Sequence, residues 1–229
     1  MTRLTLLIPA HKEAESLPFF LKELQGYNFD KLVVLQNEDE ETIKSISNFK
    51  DIRIYKQKNK GYGNALKEGL NQINTEFFCI INADGSMDPK YLDEMLRLCE
   101  DRDLVFASRY LKGGGSDDDD FVTFVGNKCF SLLGNILFKL NLSDILYTYI
   151  VGKTNSVKNL KLYHYDFRIC VEIPIKAKLN NLTFVSTPSK ERKRIGGKKK
   201  VNALKDGFLI LIAIGSFFLK KILNKKFIF

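Results

Sequence analysis

The feature that most constrains the fold is an alternation of short apolar runs and helix-like segments over the first hundred residues. The apolar runs predict five strands, at Leu4–Ile8, Leu32–Leu35, Ile52–Tyr55, Phe77–Ile81 and Leu104–Ala107. The segments between them carry apolar residues at helical spacing and predict helices over 13–24, 40–46, 64–73 and 89–99. Strands that alternate with helices of this length favour an α/β fold, with a mostly parallel, doubly wound sheet and helices on both faces.

The alternation ends after Tyr110. A glycine-rich loop, Lys112–Ser116, leads into four aspartates, Asp117–Asp120, which we interpret as a solvated loop. The elements predicted beyond this loop are a long apolar helix over 121–140, an irregular stretch over 143–162, a helix over 167–179 and a late strand over 182–185.

The excess of positive over negative charge is confined to the last forty residues of the sequence. The net charge is +9 over 229 residues, and residues 190–229 hold twelve Lys and Arg against two acidic residues, a net of +10. This excludes a uniformly basic nucleic-acid binder and indicates a local anionic partner, which is a phosphate, an acidic lipid or a nucleic acid. We expect no nucleic acid, because the aromatic residues here cluster inside apolar runs rather than between Lys and Arg.

We divide the chain into a domain over 1–189 and a C-terminal segment over 190–229, made of a basic loop and an apolar helix. Residues 208–219 are uncharged, and as a helix they would span roughly 18 Å, less than the ~30 Å hydrocarbon core of a bilayer. With Lys220 and Lys221 next to them, they predict a helix at a membrane surface. The alternative is a buried helix that closes the domain or pairs two subunits.

The turn after the fourth strand, Asn82–Pro89, is the candidate metal site. Ligands of doubly wound sheets bind beyond the carboxyl ends of the strands, where the Asp84 carboxylate is suited to hold Mg²⁺ or Mn²⁺ beside a diphosphate. The alternative, which the spacing alone favours, is that Asp84 and Asp88 supply only a turn and a helix cap. The four cysteines lack C-x-x-C spacing, which argues against a zinc site and favours an intracellular protein.

Five segments carry motifs in a fixed order. They are IPAHKEAESL at Ile8–Leu17, KGYGNALKEG at Lys60–Gly69, NADGSMDP at Asn82–Pro89, ASRY at Ala107–Tyr110, and RIGG with Lys200 at the end of the basic loop. Together they resemble the family 2 glycosyltransferases, especially the branch of dolichol- and polyprenyl-phosphate sugar synthases. The corresponding family motifs are P-A-x-N-E, G-x-G-x-A-x-x-x-G, the D-x-D turn, G-S-R-Y and R-x-x-G-x-S-K.

The resemblance implies a GT-A fold and an inverting transfer of a hexose from a nucleotide-sugar donor. The catalytic residues it implies are Asp84 on the metal and diphosphate, Arg109 on phosphate or sugar, and Asp144 facing the acceptor. The donor-binding residues it implies are Pro9, Ala10, Glu13, Gly61, Asn82, Arg194 and Lys200. Asp144 is a candidate general base only if the acceptor is a sugar hydroxyl, because a lipid phosphate is already a nucleophile. The alternative for Asp144 is a helix cap or a buried turn residue.

Three departures from the family pattern bear on activity. Leu35 and Gln36 stand where the family has its base-reading aspartate, Asn82 replaces the first aspartate of the metal turn, and Tyr147–Ile150 replaces S-G-F-R. The alternative function is therefore a catalytically weak sugar-nucleotide-binding or scaffold protein of the same fold. Gly61 and Gly63 lack the third glycine of a dinucleotide fingerprint, so we interpret them as a tight turn.

The resemblance also implies partners and a location. We expect a nucleotide sugar, a divalent cation, and a polyprenyl-phosphate or glycan acceptor. We expect the protein in the cytoplasm, peripheral at the inner face of the membrane. The sequence is compatible with an oligomer. The family's segment corresponding to Asp117–Asp120 is a mobile loop, so the alternative for these aspartates is a lid over the donor.

Overall fold

The computed structural model describes residues 2–197 and 200–223. The strands are β1 (Leu4–Ala10), β2 (Asp30–Gln36), β3 (Arg53–Gln57), β4 (Phe77–Ile80), β5 (Leu104–Ser108), β6 (Gly115–Ser116), β7 (Ile150–Lys153), β8 (Phe184–Pro188) and β9 (Lys190–Glu191). The helices are α1 (Leu17–Leu24), α2 (Glu40–Ser45), α3 (Tyr62–Asn71), α4 (Leu92–Cys99), α5 (Phe121–Phe138), α6 (Thr154–Lys158), α7 (Ile169–Leu179) and α8 (Ala203–Ile222). A 3₁₀ turn, Pro89–Tyr91, precedes α4.

Seven strands form one sheet in the order β3-β2-β1-β4-β7-β5-β8. All neighbours are parallel except β7, which runs antiparallel to both β4 and β5. The predicted α/β fold with a mostly parallel sheet is therefore confirmed. The five predicted strands correspond to β1 to β5, and the late strand to β8.

Strand β7 lies within the stretch that the sequence predicts to be irregular, and that part of the prediction is wrong. The strand is four residues long and contains Gly152, which weakens its intrinsic strand signal. Its pairing explains the glycine, because a Cβ atom at this position would lie 2.6 Å from the Leu104 side chain and 2.7 Å from that of Phe78. Only the assembled sheet, which inserts β7 between β4 and β5, reveals it.

The sheet separates two apolar cores, because successive residues of a strand point to opposite faces. Leu7 packs on the face covered by α3, α7 and α8, whereas Leu6 and Ile8 pack on the face covered by α1 and α4. Helix α8 contributes Ile210, Ala213, Ile214 and Phe217 to the first core. Helix α8 therefore packs into the same core as the elements before it.

Candidate active site

The carboxyl ends of the parallel strands open on a cavity of about 440 Å³. Nine residues singled out from the sequence line it: Pro9, Ala10, Glu13, Gly61, Asn82, Asp84, Arg109, Arg194 and Lys200. Asp144 is 1% exposed and lies behind Arg109, outside the lining. The fold thus gathers at one edge of the sheet residues that are up to 191 positions apart in sequence.

The two aspartates of the turn after β4 have different roles. The Asp84 carboxylate accepts a hydrogen bond from the Ser86 amide at 3.0 Å, and its Oδ2 lies 3.7 Å from Arg194 Nη1. Asp88 instead accepts from the Lys90 amide at 3.0 Å and caps the 3₁₀ turn. Only Asp84 of the two lines the cavity. The turn-and-cap interpretation therefore accounts for Asp88, whereas Asp84, which also closes the turn, is the one of the two carboxylates that faces the cavity.

A divalent cation fits this turn with Asp84 as its protein ligand. Within the described ranges, 2–197 and 200–223, no group of three or more His, Cys, Asp or Glu side chains is arranged to hold a metal ion. Mg²⁺ and Mn²⁺ commonly use one or two carboxylates and complete their coordination with substrate phosphates and water. Asp84 would hold such a cation together with a bound diphosphate.

The basic loop folds back over the turn. The Ile195 amide donates to the Asp84 carbonyl oxygen at 2.8 Å, and the Arg192 amide donates to that of Ser86 at 2.8 Å. At the far end of the loop, Lys200 Nζ lies 3.3 Å from Glu13 Oε1. The loop thereby brings the Arg194 and Lys200 cations beside Asp84 and Glu13, where an anionic ligand would contact them.

Arg109 is enclosed by three carboxylates. Its Nε and Nη2 donate to Asp144 at 2.7 and 3.0 Å, and its Nη1 donates to Asp119 at 3.2 Å and to Glu191 at 3.1 Å. Its guanidinium carbon lies 4.6 Å from the centroid of the Tyr147 ring. Burial alone would lower the pKa of Arg109, but Asp144 and Glu191 raise it well above its usual value. Burial raises the pKa of Glu191.

The interpretation of the acidic run as a solvated loop is wrong for Asp118 and Asp119, whereas Asp117 and Asp120 are exposed. Asp118 pairs with Arg194 through two hydrogen bonds of 2.6 and 3.3 Å. Asp119 accepts from Arg109 and also from the Tyr110 hydroxyl, the latter at 2.6 Å. Both line the cavity. Arg109 and Arg194 attract these two aspartates inward, and for Arg194 this attraction depends on a residue distant in sequence.

Gly61 and Gly63 form the tight turn expected from the sequence, at the start of α3. Gly61 has φ +113°, and a Cβ atom at Gly63 would lie 2.4 Å from the His164 carbonyl oxygen and 2.8 Å from the Tyr165 carbonyl carbon. The glycines are required because the backbone at 164–165 packs directly against the turn. That backbone is held by Glu172, whose carboxylate accepts from the amides of 163 and 164.

Tyr62 and Thr148 are site residues that the sequence reasoning missed. The Tyr62 hydroxyl lies 2.7 Å from Thr148 Oγ1 and donates to Asn82 Oδ1 at 3.4 Å. Tyr62 stacks on Phe167 with ring centroids 5.0 Å apart. The sequence signal was the replacement of S-G-F-R by Tyr147–Ile150, which supplies Thr148. The amide at Asn82 is thus oriented by a hydroxyl pair where the family has a carboxylate.

The opposite end of the cavity contains two amides. Leu35, one of the two residues at the family's base-reading position, is fully buried in the core and does not line the cavity. Gln36 and Gln57 do line it, and they are register partners at the ends of β2 and β3. The Gln57 amide nitrogen donates to the carbonyl oxygens of Asn59 and Gly61, which leaves its Oε1 as an acceptor.

Apolar side chains also line the cavity, among them Leu146, Phe167 and, from α8, Ile210. Helices α5 and α8 pack together and leave large apolar side chains exposed on their outer sides. These are Phe121, Val122, Phe124, Val125, Leu132, Ile136, Leu204, Phe208, Leu211, Ile212, Leu219 and Ile222. Among the described residues, α5 is the helix that is long and apolar enough to cross a membrane by length and composition, with mean hydropathy 1.4 and 22% of it buried.

Comparison with solved structures shows the fold. The structure matches that of glucosyl-3-phosphoglycerate synthase from Mycobacterium tuberculosis in complex with Mn²⁺, UDP and glucosyl-3-phosphoglycerate. The match has a TM-score of 0.74 and 12% identity, and it covers 94% of this chain and 80% of the other. Mannosyl-3-phosphoglycerate synthase from Rubrobacter xylanophilus matches with a TM-score of 0.70 and 14% identity over 98% of this chain and 75% of the other. The expected GT-A fold is therefore confirmed.

Comparison of sequences supports the same assignment. The chain is 24% identical over 194 residues to a dolichol-phosphate mannosyltransferase from Pyrococcus furiosus. The aligned region covers 80% of this chain and 55% of the relative. It is also 29% identical over 117 residues to a 2-phospho-L-lactate guanylyltransferase from Methanocaldococcus fervens, and this alignment covers 51% of this chain and 53% of that relative. It thus spans about half the length of these curated relatives. The family model described as glycosyl transferase family 2 matches residues 5–171, and the chain belongs to that family.

Proposed function

We propose that this protein transfers a sugar from a nucleotide-sugar donor to a polyprenyl phosphate at a membrane surface. The observation that carries this proposal is the composition of the cavity. The cavity combines Asp84, Arg194 and Lys200, which suit a diphosphate, with apolar side chains that include Leu146, Phe167 and Ile210. A lipid phosphate has both kinds of chemistry in one molecule.

The donor would lie along the carboxyl ends of the strands. Its base would lie near Gln36 and Gln57, and its diphosphate near Asp84. When the acceptor phosphate oxygen attacks the anomeric carbon, the bond from that carbon to the diphosphate breaks with inversion. Negative charge then builds on the departing nucleoside diphosphate, where Arg194 and Lys200 would stabilise it. A divalent cation held by Asp84 would supply Lewis-acid stabilisation of the same charge.

The Arg109 cluster favours a phosphate acceptor over a sugar hydroxyl. A hydroxyl acceptor needs a base, and both Asp144 oxygens already accept hydrogen bonds from the Arg109 guanidinium. A phosphate is an anion near neutral pH and needs no base. Asp144 would therefore act by orienting Arg109 at the wall of the cavity.

The exposed faces of α5 and α8 support a site at a membrane surface. Phe121 is 79% exposed, Leu204 is 88% exposed and Phe208 is 64% exposed. Lysines border these residues, including Lys128 on α5 and Lys205 on α8. Exposed apolar side chains flanked by lysines suit the interface of an anionic bilayer, where a polyprenyl phosphate resides.

The test is transfer of radiolabelled sugar from UDP-glucose or GDP-mannose, with MnCl₂, to undecaprenyl phosphate in anionic vesicles or to 3-phosphoglycerate in solution. We expect label in the organic extract with the lipid acceptor and no labelled phosphoglycerate. Asp84→Asn should abolish transfer, and Asp88→Asn, in the same turn but outside the cavity, should retain it.

Three results would change the proposal. Transfer to phosphoglycerate without transfer to lipid would overturn the acceptor. Binding of a nucleoside diphosphate without transfer to either acceptor would favour the sugar-nucleotide-binding protein. If neither UDP nor GDP raises the melting temperature with MnCl₂, the donor site itself is refuted.

A further inference from the structure

The acidic segment Ser116–Asp120, here called the acidic strap, lies across the donor side of the cavity. Its first residue pairs with Glu191 in the parallel β6–β9 ribbon. The Ser116 hydroxyl accepts from the amides of Asp118 and Asp119 at 3.2 and 3.0 Å and donates to Glu191 at 2.6 Å. At its end, Asp120 caps α5 by accepting from the Thr123 amide. The strap is thus a defined turn that presents the side chain of Asp118 to the cavity.

Asp118 makes the same bonds with Arg194 that a phosphate would make. The Nε and Nη2 atoms of Arg194 donate to the two oxygens of Asp118 in a parallel pair. Arginine binds carboxylates and phosphates through this same fork geometry. The hydrogen bonds from Arg194 to Asp118 raise the pKa of Arg194. A diphosphate and Asp118 therefore compete for one set of N–H donors.

The local charge also disfavours the donor while Asp118 is in place. Asp84, Asp118 and Arg194 together carry a net charge of −1, and Arg194 is 23% exposed and Asp118 20% exposed in their side chains. At this depth a net negative charge repels a diphosphate more strongly than it would in open solvent. Without Asp118, the net charge of Asp84 and Arg194 together is zero.

We propose that Asp118 is a positioning residue, which holds the Arg194 guanidinium beside Asp84 in the donor-free protein and yields it to the donor diphosphate. This inference rests on the proposed function, because it assumes that a diphosphate binds at Asp84 and Arg194. Asp119 and Asp120 anchor the strap next to Asp118, so a movement of the Asp118 side chain and its backbone turn is sufficient for the exchange. The pairing keeps Arg194 aligned beside Asp84 until the ligand arrives.

The test measures the affinity of the full chain for inorganic pyrophosphate, in excess MnCl₂, by isothermal titration calorimetry. Pyrophosphate needs no knowledge of the base or the sugar. We expect Asp118→Asn to bind it about three- to tenfold more tightly than the parent protein, because the competing carboxylate is gone. The matched control is Asp117→Asn. It removes the same charge from the neighbouring residue, whose carboxylate pairs with Lys190 and is about half exposed. It should change the affinity less than about twofold.

Two further measurements separate positioning from a structural role. In an Arg194→Gln background, the gain from Asp118→Asn should disappear. In the parent protein, pyrophosphate should increase amide hydrogen exchange across residues 116–120, since the strap gives up Arg194. A residue that only stabilised the fold would lower the melting temperature when replaced and would not tighten binding.

The outcomes distinguish this inference from the proposed function. If the parent protein binds pyrophosphate and Asp118→Asn binds it no more tightly than Asp117→Asn does, the role of Asp118 is refuted and the donor site stands. If neither the parent protein nor Asp118→Asn binds pyrophosphate, UDP or GDP, both are refuted.

Discussion

The buried carboxylate of Glu172 stabilises the fold, and its contacts determine how much unfolding free energy it contributes. Glu172 and Lys176 are fully buried on α7, with Nζ of Lys176 2.8 Å from the Glu172 carboxylate. The other Glu172 oxygen lies 2.8 Å from His164 Nδ1. The amides of Tyr163 and His164 also donate to the carboxylate. One side chain therefore holds the backbone that packs against the Gly61–Gly63 turn.

Replacement of Glu172 by Gln should cost about 3 kcal/mol of unfolding free energy at neutral pH. Burial alone would raise the pKa of Glu172, but hydrogen bonds from His164 and Lys176 lower it from 4.5 to about 2. That lowering corresponds to about 3 kcal/mol. In either orientation Gln also presents its NH₂ group to a backbone amide donor, so at least one N–H is left unsatisfied. In a chain of this size the melting temperature should fall by about 6–12 °C.

The pH dependence has a definite sign. The pKa of Glu172 is lower in the folded state than in the unfolded chain, so its stabilisation is fully present above pH 4.5 and is lost as the pH falls towards 2. The difference between the parent protein and Glu172→Gln should therefore be constant from pH 7 to 5 and shrink below 4.5. Urea unfolding followed by circular dichroism at pH 7, 5, 4 and 3 measures this directly.

The matched control is Glu94→Gln on α4. Glu94 pairs with Arg97 at 2.9 Å, but the two side chains are 49% and 67% exposed. Exposed pairs of this kind contribute about 0.5 kcal/mol or less. If Glu172→Gln is as mild as Glu94→Gln, or if its effect does not change below pH 4.5, the assignment of stability to this cluster is wrong.

Two other substitutions test the glycine turn and the outer helix faces. Gly63→Ala should destabilise the fold by about 1–3 kcal/mol, because its Cβ would lie 2.4 Å from a backbone oxygen. Gly126→Ala on α5 has nothing within 4 Å and should be neutral or stabilising in the same thermal melt; equal losses would contradict the close contact at Gly63. Phe208→Asp on α8 should weaken binding to anionic vesicles about tenfold in a sedimentation assay, because a buried phenylalanine contributes about 1.5–3 kcal/mol. Phe19→Asp on α1 removes an equally exposed phenylalanine (66% against 64%) from a helix on the opposite face of the sheet, and equal binding by the two variants would exclude α8 as the contact.

The sequence by itself determined the strands β1 to β5 and the edge of the sheet at which a ligand binds. Strands β1 to β5 are continuous apolar runs separated by helical periodicity, and both signals are local. The carboxyl ends of parallel strands must meet at one edge, so the position of Asp84 after β4 predicted that it lies at the ligand-binding edge, and the resemblance added Arg109. The resemblance extended this set to Arg194 and Lys200 in the basic loop.

The tertiary structure decided what each of these groups contacts. Strand β7 is too short and too glycine-containing to be recognised alone, and it exists because β4 and β5 leave a gap that it fills. Asp144 was a candidate base in sequence, yet it is closed against Arg109. Asp118 was part of an apparently solvated run, yet it pairs with a guanidinium 76 residues away. Charge pairing and burial depend on groups brought together from distant parts of the chain, and for that reason local sequence patterns do not determine them.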